Sequence, residues 1–145
     1  MSLKDWLNEG HLKTHQTSKA EIFQLLAVCE RDLADAQVKG LSADRRLATA
    51  YNAALVLCVA ALAASGFQAN YLGHHYWTIQ SLAFTLQVDT KTIDTFNKIR
   101  HKRNISDYER IGMASERDVT EMLSLAKNLR VSLEDWLKQY HAELM

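Results

Sequence analysis

Proline is absent from this chain of 145 residues, and glycine occurs only five times. Proline interrupts helices and glycine weakens them, so their scarcity permits long helices and excludes a collagen-like sequence. The chain has only two cysteines, Cys29 and Cys58, and their apolar surroundings are typical of small core side chains in a reducing compartment. The composition therefore predicts a helical protein that depends on a hydrophobic core.

Net charge is also absent, because 17 basic and 17 acidic side chains balance to zero at pH 7. A protein that binds long duplex DNA electrostatically needs a broad positive surface, so neutrality argues against that class and leaves room only for a local basic patch. The N-terminus does not resemble a signal peptide, and the most apolar run, residues 53–66, is too short to span a bilayer. We expect a cytoplasmic protein without a membrane segment.

Apolar spacing and helix-start residues divide the chain into helices joined by short loops. From Val119 to Tyr140 apolar side chains recur every three or four residues, as on one face of a helix. Ser18, Ser42 and Ser115 are predicted N-caps, and the glycines fall where the periodic segments stop. No alternating strand pattern is visible. The predicted elements are a short helix at 3–8, a connector to residue 17, and long helices at 18–38, 42–65, 74–87, 90–110 and 115–142.

Long helices joined by short loops place sequential neighbours antiparallel. The sequence therefore predicts an all-α fold, an up-and-down bundle over residues 18–142, with the alanine-rich segment 42–65 in its middle. A single domain, residues 1–145, is long enough to bury a substantial core.

The segment 96–110 carries charged side chains where a helix would place apolar ones. At about 100° per residue, Ile93 and Phe96 mark the inward face of this helix. The same face continues with a polar stripe: Arg100, Arg103, Asn104 and Asp107. The predicted solvent-facing side carries Lys91, Asp94, Lys98, His101, Lys102 and Glu109. A core-facing stripe that turns polar halfway along indicates either a binding site or an internal lock.

In the lock interpretation, the arginines of the stripe are held by acidic side chains of the protein itself. Arg103 would pair with Asp107, four residues later on the same helix. Acids of a facing helix, such as Asp32 and Asp35, would pair with Arg100, since buried charges must be paired.

In the cleft interpretation, Arg100 and Arg103 face an anionic ligand. The planar guanidinium group suits phosphate, and Asn104 with the Tyr108 hydroxyl would orient the ligand. The spacing alone leaves both interpretations open.

A second group of polar side chains precedes the most apolar part of segment 42–65. Arg46, Tyr51 and Asn52 are candidates to face the polar stripe and complete a cavity. In the alternative, the arginine is solvated near the helix start and Asn52 is satisfied inside the protein.

The histidines and the motif content indicate neither a metal nor a cofactor. His74 and His75 would point about 100° apart on a helix, which disfavours joint chelation and favours capping or packing. His11 and His15 lie in a connector-like stretch. The sequence has no Walker loop and no GxGxxG, GxSxG or HExxH motif. We expect no cofactor and no bound metal.

Residues 42–55, Gly66, residues 73–75 and the stretch from Arg100 to Glu109 resemble the HEPN superfamily. These are small helical bundles of prokaryotic defence, toxin–antitoxin and nucleotidyltransferase-associated systems, and the resemblance covers roughly residues 18–110. It implies a homodimer in which the polar stripe lines a cleft near the dimer interface.

Active members of this superfamily are ribonucleases in which an arginine is followed, after four to six residues, by histidine. Arg103 and Asn104 match the first half of that motif, but the histidine positions hold Tyr108, Glu109 and Arg110. Because the side chain that would transfer a proton is missing, the resemblance implies a catalytically degenerate relative.

The sequence therefore predicts a HEPN-like, non-catalytic binding module with RNA, a nucleotide or a nucleotidyltransferase as its partner. Two alternatives stay open: a weak metal-independent ribonuclease, in which Tyr108 or Asp107 replaces the histidine, and a purely structural dimerising protein. The predicted ligand-binding residues are Arg100, Arg103, Asn104, Asp107 and Tyr108, supported by Arg46, Tyr51, Asn52 and His74.

Overall fold

A computed structural model describes the chain at residues 1–108 and 111–145, with side chains at 1–105 and 111–145. The fold is an all-α bundle with one small two-stranded ribbon. Its strands are β1, Leu12–Thr14, and β2, Phe67–Ala69. The helices within the described residues are α1 Leu3–Asn8, α2 Lys19–Asp35, α3 Ala43–Ala64, α4 His74–Gln80, α5 Thr90–Tyr108 and α6 Glu116–Tyr140.

Helix α3 is the centre of the bundle, as predicted, and it packs against α2, α4, α5 and α6. It is apolar around most of its circumference, which is typical of a helix enclosed by others. In the described part of the chain, α3 is the one helix that length and composition alone would allow to cross a membrane. About two thirds (67%) of its most apolar stretch is buried inside the protein, against the neighbouring helices.

The predicted helix starts at Ser18, Ser42 and Ser115 are confirmed. Each serine hydroxyl accepts a hydrogen bond from a backbone N–H three residues later, which satisfies one otherwise orphaned donor of the first turn. At Ser115 a second hydrogen bond runs in the opposite direction: the backbone N–H of Ser115 donates to the Asp118 carboxylate at 2.9 Å. A capping box therefore begins α6.

The ribbon was not predicted from the sequence. Leu12 pairs with Ala69 and Thr14 with Phe67, in antiparallel register. Strands of three residues are too short to show an alternating pattern, and their pairing depends on residues more than 50 positions apart.

The predicted helix 74–87 is shorter than expected. Helix α4 ends at Gln80, a single 3-10 turn follows at Ser81–Ala83, and Gln87 takes a positive φ of 54°. The predicted extension of α5 to residue 110 lies outside the described residues.

A second, smaller core under the ribbon fixes the N-terminus to the bundle. The Trp6 ring contacts Trp77 and Phe84 edge to face, with centroids 5.0 and 4.9 Å apart. Leu12 and Leu62 complete this core. Helix α1 is therefore part of the folded unit.

Candidate anion-binding site

Helix α5 presents an apolar face that becomes polar towards its C-terminal half, as the sequence predicts. Ile93, Phe96 and Ile99 are buried, whereas Arg100 and Arg103 on the continuing face are half-buried. Burying a guanidinium group is costly unless it is paired or hydrogen-bonded, so the surroundings of these two arginines decide what the stripe can do.

Arg103 lies over the buried ring of Tyr51 on α3. The guanidinium carbon is 5.4 Å from the ring centroid, within the range of a cation–π contact. Nη1 of Arg103 donates to Oδ1 of Asn104 at 3.1 Å. The Phe96 ring meets the Tyr51 ring edge to face, with the centroids 5.6 Å apart. Packing between α3 and α5 thus fixes this arginine on an aromatic surface.

Arg100 lies one turn earlier and reaches α4. Its guanidinium carbon is 6.0 Å from the ring centroid of Tyr76, which is 39% exposed, and its Nε donates to Oδ1 of Asn97 at 3.3 Å. Among the described residues, no carboxylate forms an ion pair with Arg100. This guanidinium group is therefore available to an external anion.

The acids expected to lock Arg100 have other surroundings. Asp32 is buried, forms an ion pair with Arg31 at 3.1 Å, and accepts a hydrogen bond from Nδ2 of Asn52 at 2.6 Å. Asp35 is exposed near the end of α2. The lock predicted between α2 and Arg100 is therefore not formed by these acids.

His75 on α4 completes the cluster between α3, α4 and α5. Its Nδ1 lies 3.1 Å from the Tyr51 hydroxyl oxygen, in a hydrogen bond whose donor depends on the imidazole tautomer. The two rings are tilted, with centroids 5.9 Å apart. We refer to Tyr51, His75, Arg100 and Arg103 together as the candidate anion site.

Burial and the two arginines set the charge states of this site. Burial raises the pKa of Tyr51, and the arginines oppose that rise only in part. Burial also lowers the pKa of His75, and the nearby His74, Arg103 and Arg100 lower it further by repulsion. At neutral pH the phenol and the imidazole are therefore neutral, and the positive charge comes from the guanidinium groups.

The supporting residues predicted on α3 separate into two groups. Tyr51 belongs to the candidate anion site, but Arg46 and Asn52 do not. Arg46 donates to the backbone carbonyl of Ala36 at 2.9 Å and pairs with Glu116 at 2.6 Å, so it joins the ends of three helices. Asn52 is satisfied inside the protein by Asp32, as the alternative interpretation anticipated.

Of three further predicted residues, one lies apart from the candidate anion site, and the side chains of the other two lie outside the described residues. His74 lines a separate cavity beside the ribbon. The side chains of Asp107 and Tyr108 lie outside the described residues, so the predictions for them stay predictions, as does the lock between Arg103 and Asp107. Glu109 likewise lies outside the described part of the chain.

Lys102 does not belong on the solvent-facing side where the helical projection placed it. It is half-buried, and its Nζ lies 2.9 Å from Oδ2 of Asp118 on α6. Helix α5 has neighbours on two sides, and a single-helix projection does not show the second one. Lys91, Asp94, Lys98 and His101 are exposed, as predicted.

The sequence did not indicate that His75 belongs to the candidate anion site or that Tyr76 lies beside Arg100. The chain separates His75 from Tyr51 by 24 residues, so only the packing of α4 on α3 and α5 brings them together. The available signal was the aromatic content of the segment that begins α4, since cationic side chains pack on aromatic faces.

The candidate anion site lies apart from a large groove. This groove, of about 710 Å³, runs between α5 and α6, and none of the four residues of the candidate anion site lines it. We base the site on its charges because volume alone does not identify ligand chemistry. Within the described residues, no three His, Cys, Asp or Glu side chains are grouped to hold a metal ion.

The fold and the cluster together define an all-α bundle protein with an arginine, tyrosine and histidine site between three helices. No family model, curated protein or solved structure matches the chain.

Proposed function

We propose that this protein is a HEPN-like, non-catalytic module that binds a phosphate-bearing ligand, RNA or a nucleotide, at the candidate anion site. The observation that carries this proposal is Arg100, a half-buried guanidinium group for which the described residues supply an amide and an aromatic ring but no carboxylate. An arginine in such surroundings has its planar fork available for phosphate.

The local electrostatics support an anionic ligand. Arg100 and Arg103 lie one turn apart on the same face, and both lower the pKa of His75, which means that they create a positive potential at its ring. Because the whole chain has no net charge, this positive potential arises from the local arrangement of the two arginines and not from an overall basic composition. A small ligand footprint, such as a nucleotide phosphate or a few nucleotides of RNA, fits that patch better than a long duplex.

The resemblance of the sequence to the HEPN superfamily supports the biological setting of the proposal. It favours a cytoplasmic homodimer in a toxin–antitoxin or nucleotidyltransferase-associated system. The rival proposal is a structural dimerising unit whose charges only fix helix packing. The two differ in whether removal of Arg100 changes ligand binding.

The first test compares Arg100→Met with Lys98→Met. Lys98 is exposed and two residues away on the same helix, so each variant removes one positive charge from α5. We expect Arg100→Met to weaken binding of a short fluorescein-labelled oligouridine roughly tenfold, because one charge-assisted hydrogen bond is lost. Lys98→Met should bind like the unaltered protein. Fluorescence anisotropy at constant low salt measures both.

Circular dichroism of both variants serves as the folding control for this comparison. If both substitutions weakened binding equally, the oligouridine would be attracted by the overall positive charge of α5 and not bound at the candidate anion site. Absence of binding by the unaltered protein, to the oligouridine and to ADP, would contradict the proposal and leave the structural alternative.

A second candidate function, metal-independent ribonuclease activity, is favoured by the position of His75. A neutral imidazole beside two arginines is the proton acceptor that α5 lacks at the predicted motif positions. In the tautomer whose Nδ1–H donates to the Tyr51 hydroxyl oxygen, Nε2 is the unprotonated nitrogen that can accept a proton from a substrate. The His75 imidazole would take the proton of a ribose 2′-hydroxyl as that oxygen attacks phosphorus. The P–O5′ bond would then break, leaving a 2′,3′-cyclic phosphate, while the departing 5′-oxygen takes a proton from water and the His75 imidazolium releases its proton to the solvent.

The second test incubates RNA with the protein in the presence of a chelator. Under the leading proposal the RNA stays intact. Cleavage that gives cyclic phosphate ends, disappears in His75→Ala and persists in His101→Ala would replace that proposal with the ribonuclease. His101 is the matched control because it is an exposed histidine outside the candidate anion site.

A further inference from the structure

A second cavity, of about 210 Å³, lies between α2, α3, α4 and the ribbon. Its apolar walls come from side chains of α2, α3 and β2, chiefly Leu25, Val59, Leu62 and Phe67. An engineered apolar cavity of about 150 Å³ accommodates benzene, so this space is large enough for one ring with a short side chain.

The polar part of this cavity is built around the carboxylate of Glu21. Nε2 of His15 lies 2.8 and 3.1 Å from the two carboxylate oxygens, and the Thr17 hydroxyl donates to one of them at 2.7 Å. The backbone N–H of Glu21 is already bonded to the Ser18 hydroxyl in the cap of α2. The carboxylate is therefore held towards His15 by side chains of the connector, in a fixed position at the cavity.

The lining residues have a single formal charge when histidine is counted as neutral, and it is the negative charge of Glu21. Burial alone would raise the pKa of this carboxyl group. The hydrogen bonds from Thr17 and His15, together with the attraction between the carboxylate and the His15 imidazole in its protonated form, outweigh that effect and hold the pKa below its ordinary value. Glu21 is thus ionised at neutral pH, and a carboxylate has more acceptor positions than these two partners use.

We propose that this cavity binds a small organic cation, with its apolar body against Leu25, Val59 and Phe67 and its ammonium group on the Glu21 carboxylate. An apolar enclosure with one fixed charged group at its edge is the usual form of a small-molecule site. The opposite sign of its charge separates this cavity from the candidate anion site, so the two proposals stand independently.

The test uses 2-phenylethylammonium as the probe, measured by isothermal calorimetry and by ligand-induced thermal stabilisation. The neutral 2-phenylethanol and the anionic 3-phenylpropionate have the same ring on a short chain and differ in the charge of the end group. We expect the ammonium compound to bind, the alcohol to bind roughly tenfold more weakly, and the carboxylate not to bind.

Three variants locate the interaction. Glu21→Gln keeps the shape and the hydrogen-bond acceptor but removes the charge, and we expect it to lose roughly tenfold in affinity for the ammonium probe. Val59→Phe fills the cavity and should abolish binding. Glu121→Gln removes an exposed carboxylate on α6, outside this cavity, and should leave binding unchanged.

Several outcomes would overturn the proposal. No binding of any probe to the unaltered protein would refute it, as would equal affinity for the alcohol and the ammonium compound. Affinity unchanged in both Glu21→Gln and Val59→Phe would place the probe elsewhere. If Glu21→Gln fails to fold, the comparison of the three probes and the filled-cavity variant still decide the question.

Discussion

At the scale of single residues, the surroundings of an ionisable group decide what it can do in the candidate anion site. His75 shows this most directly, because burial and three neighbouring cationic or imidazole groups all disfavour its protonated form. Its neutral ring can accept a proton or a hydrogen bond at neutral pH. The same two arginines that lower its pKa attract anions, so both properties have one electrostatic cause.

The lowered pKa of His75 predicts a specific dependence of stability on pH. The histidine binds a proton more readily in the unfolded chain than in the folded protein. Its contribution to the stability of the folded protein is therefore fully present above the unfolded-state pKa. That contribution is lost as the pH falls from the unfolded-state pKa towards the lower folded-state value. Urea unfolding of the unaltered protein should therefore show a steeper loss of stability below about pH 6.5 than that of His75→Gln.

Carboxylate titration affects both proteins in this comparison and cancels in the difference. His101→Gln provides a matched control. His101 is exposed in the folded protein, and its substitution removes one imidazole from the unfolded chain, as His75→Gln does. Parallel pH profiles for the unaltered protein and His75→Gln would contradict the assigned direction of the shift.

At the scale of elements, α5 is held differently on its two sides. Towards α3 and α4 it presents the candidate anion site, and towards α6 it offers Lys102, which bonds to Asp118. Asp118 also accepts a hydrogen bond from the backbone N–H of Ser115. One carboxylate therefore stabilises both the start of α6 and its contact with α5. These bonds hold the pKa of Asp118 below its ordinary value although burial would raise it.

Removing the Ser115 cap should therefore weaken the start of α6. Ser115→Ala is expected to reduce the free energy of unfolding by about 1 kcal/mol, since a helix N–H loses its acceptor. Ser124→Ala, at an exposed position inside the same helix, should be neutral or slightly stabilising because alanine is the better helix former. Urea denaturation of the two variants side by side measures the difference. Equal stabilities would show that the capping bond adds nothing to the fold.

At the scale of the whole molecule, α3 organises everything else. Its small alanine side chains let α2 and α6 pack on it, while α4 and α5 bring His75 and Arg103 to the ring of Tyr51. The result is a neutral protein with charged sites of opposite sign in different places. The Glu21 cavity lies beside the ribbon, and the candidate anion site lies between α3, α4 and α5.

The starts of the long helices at Ser18, Ser42 and Ser115 and the inward face of α5 were determined by the sequence itself. They depend on residues within three or four positions of one another, as at Ser115 and Asp118 or along Ile93 and Phe96. The ribbon, the contact of Lys102 with α6 and the meeting of His75 with Tyr51 were decided only by tertiary structure. These contacts join groups that are 16 to more than 50 residues apart in the sequence. The spacing of apolar residues within one helix does not indicate which distant helix will pack against it.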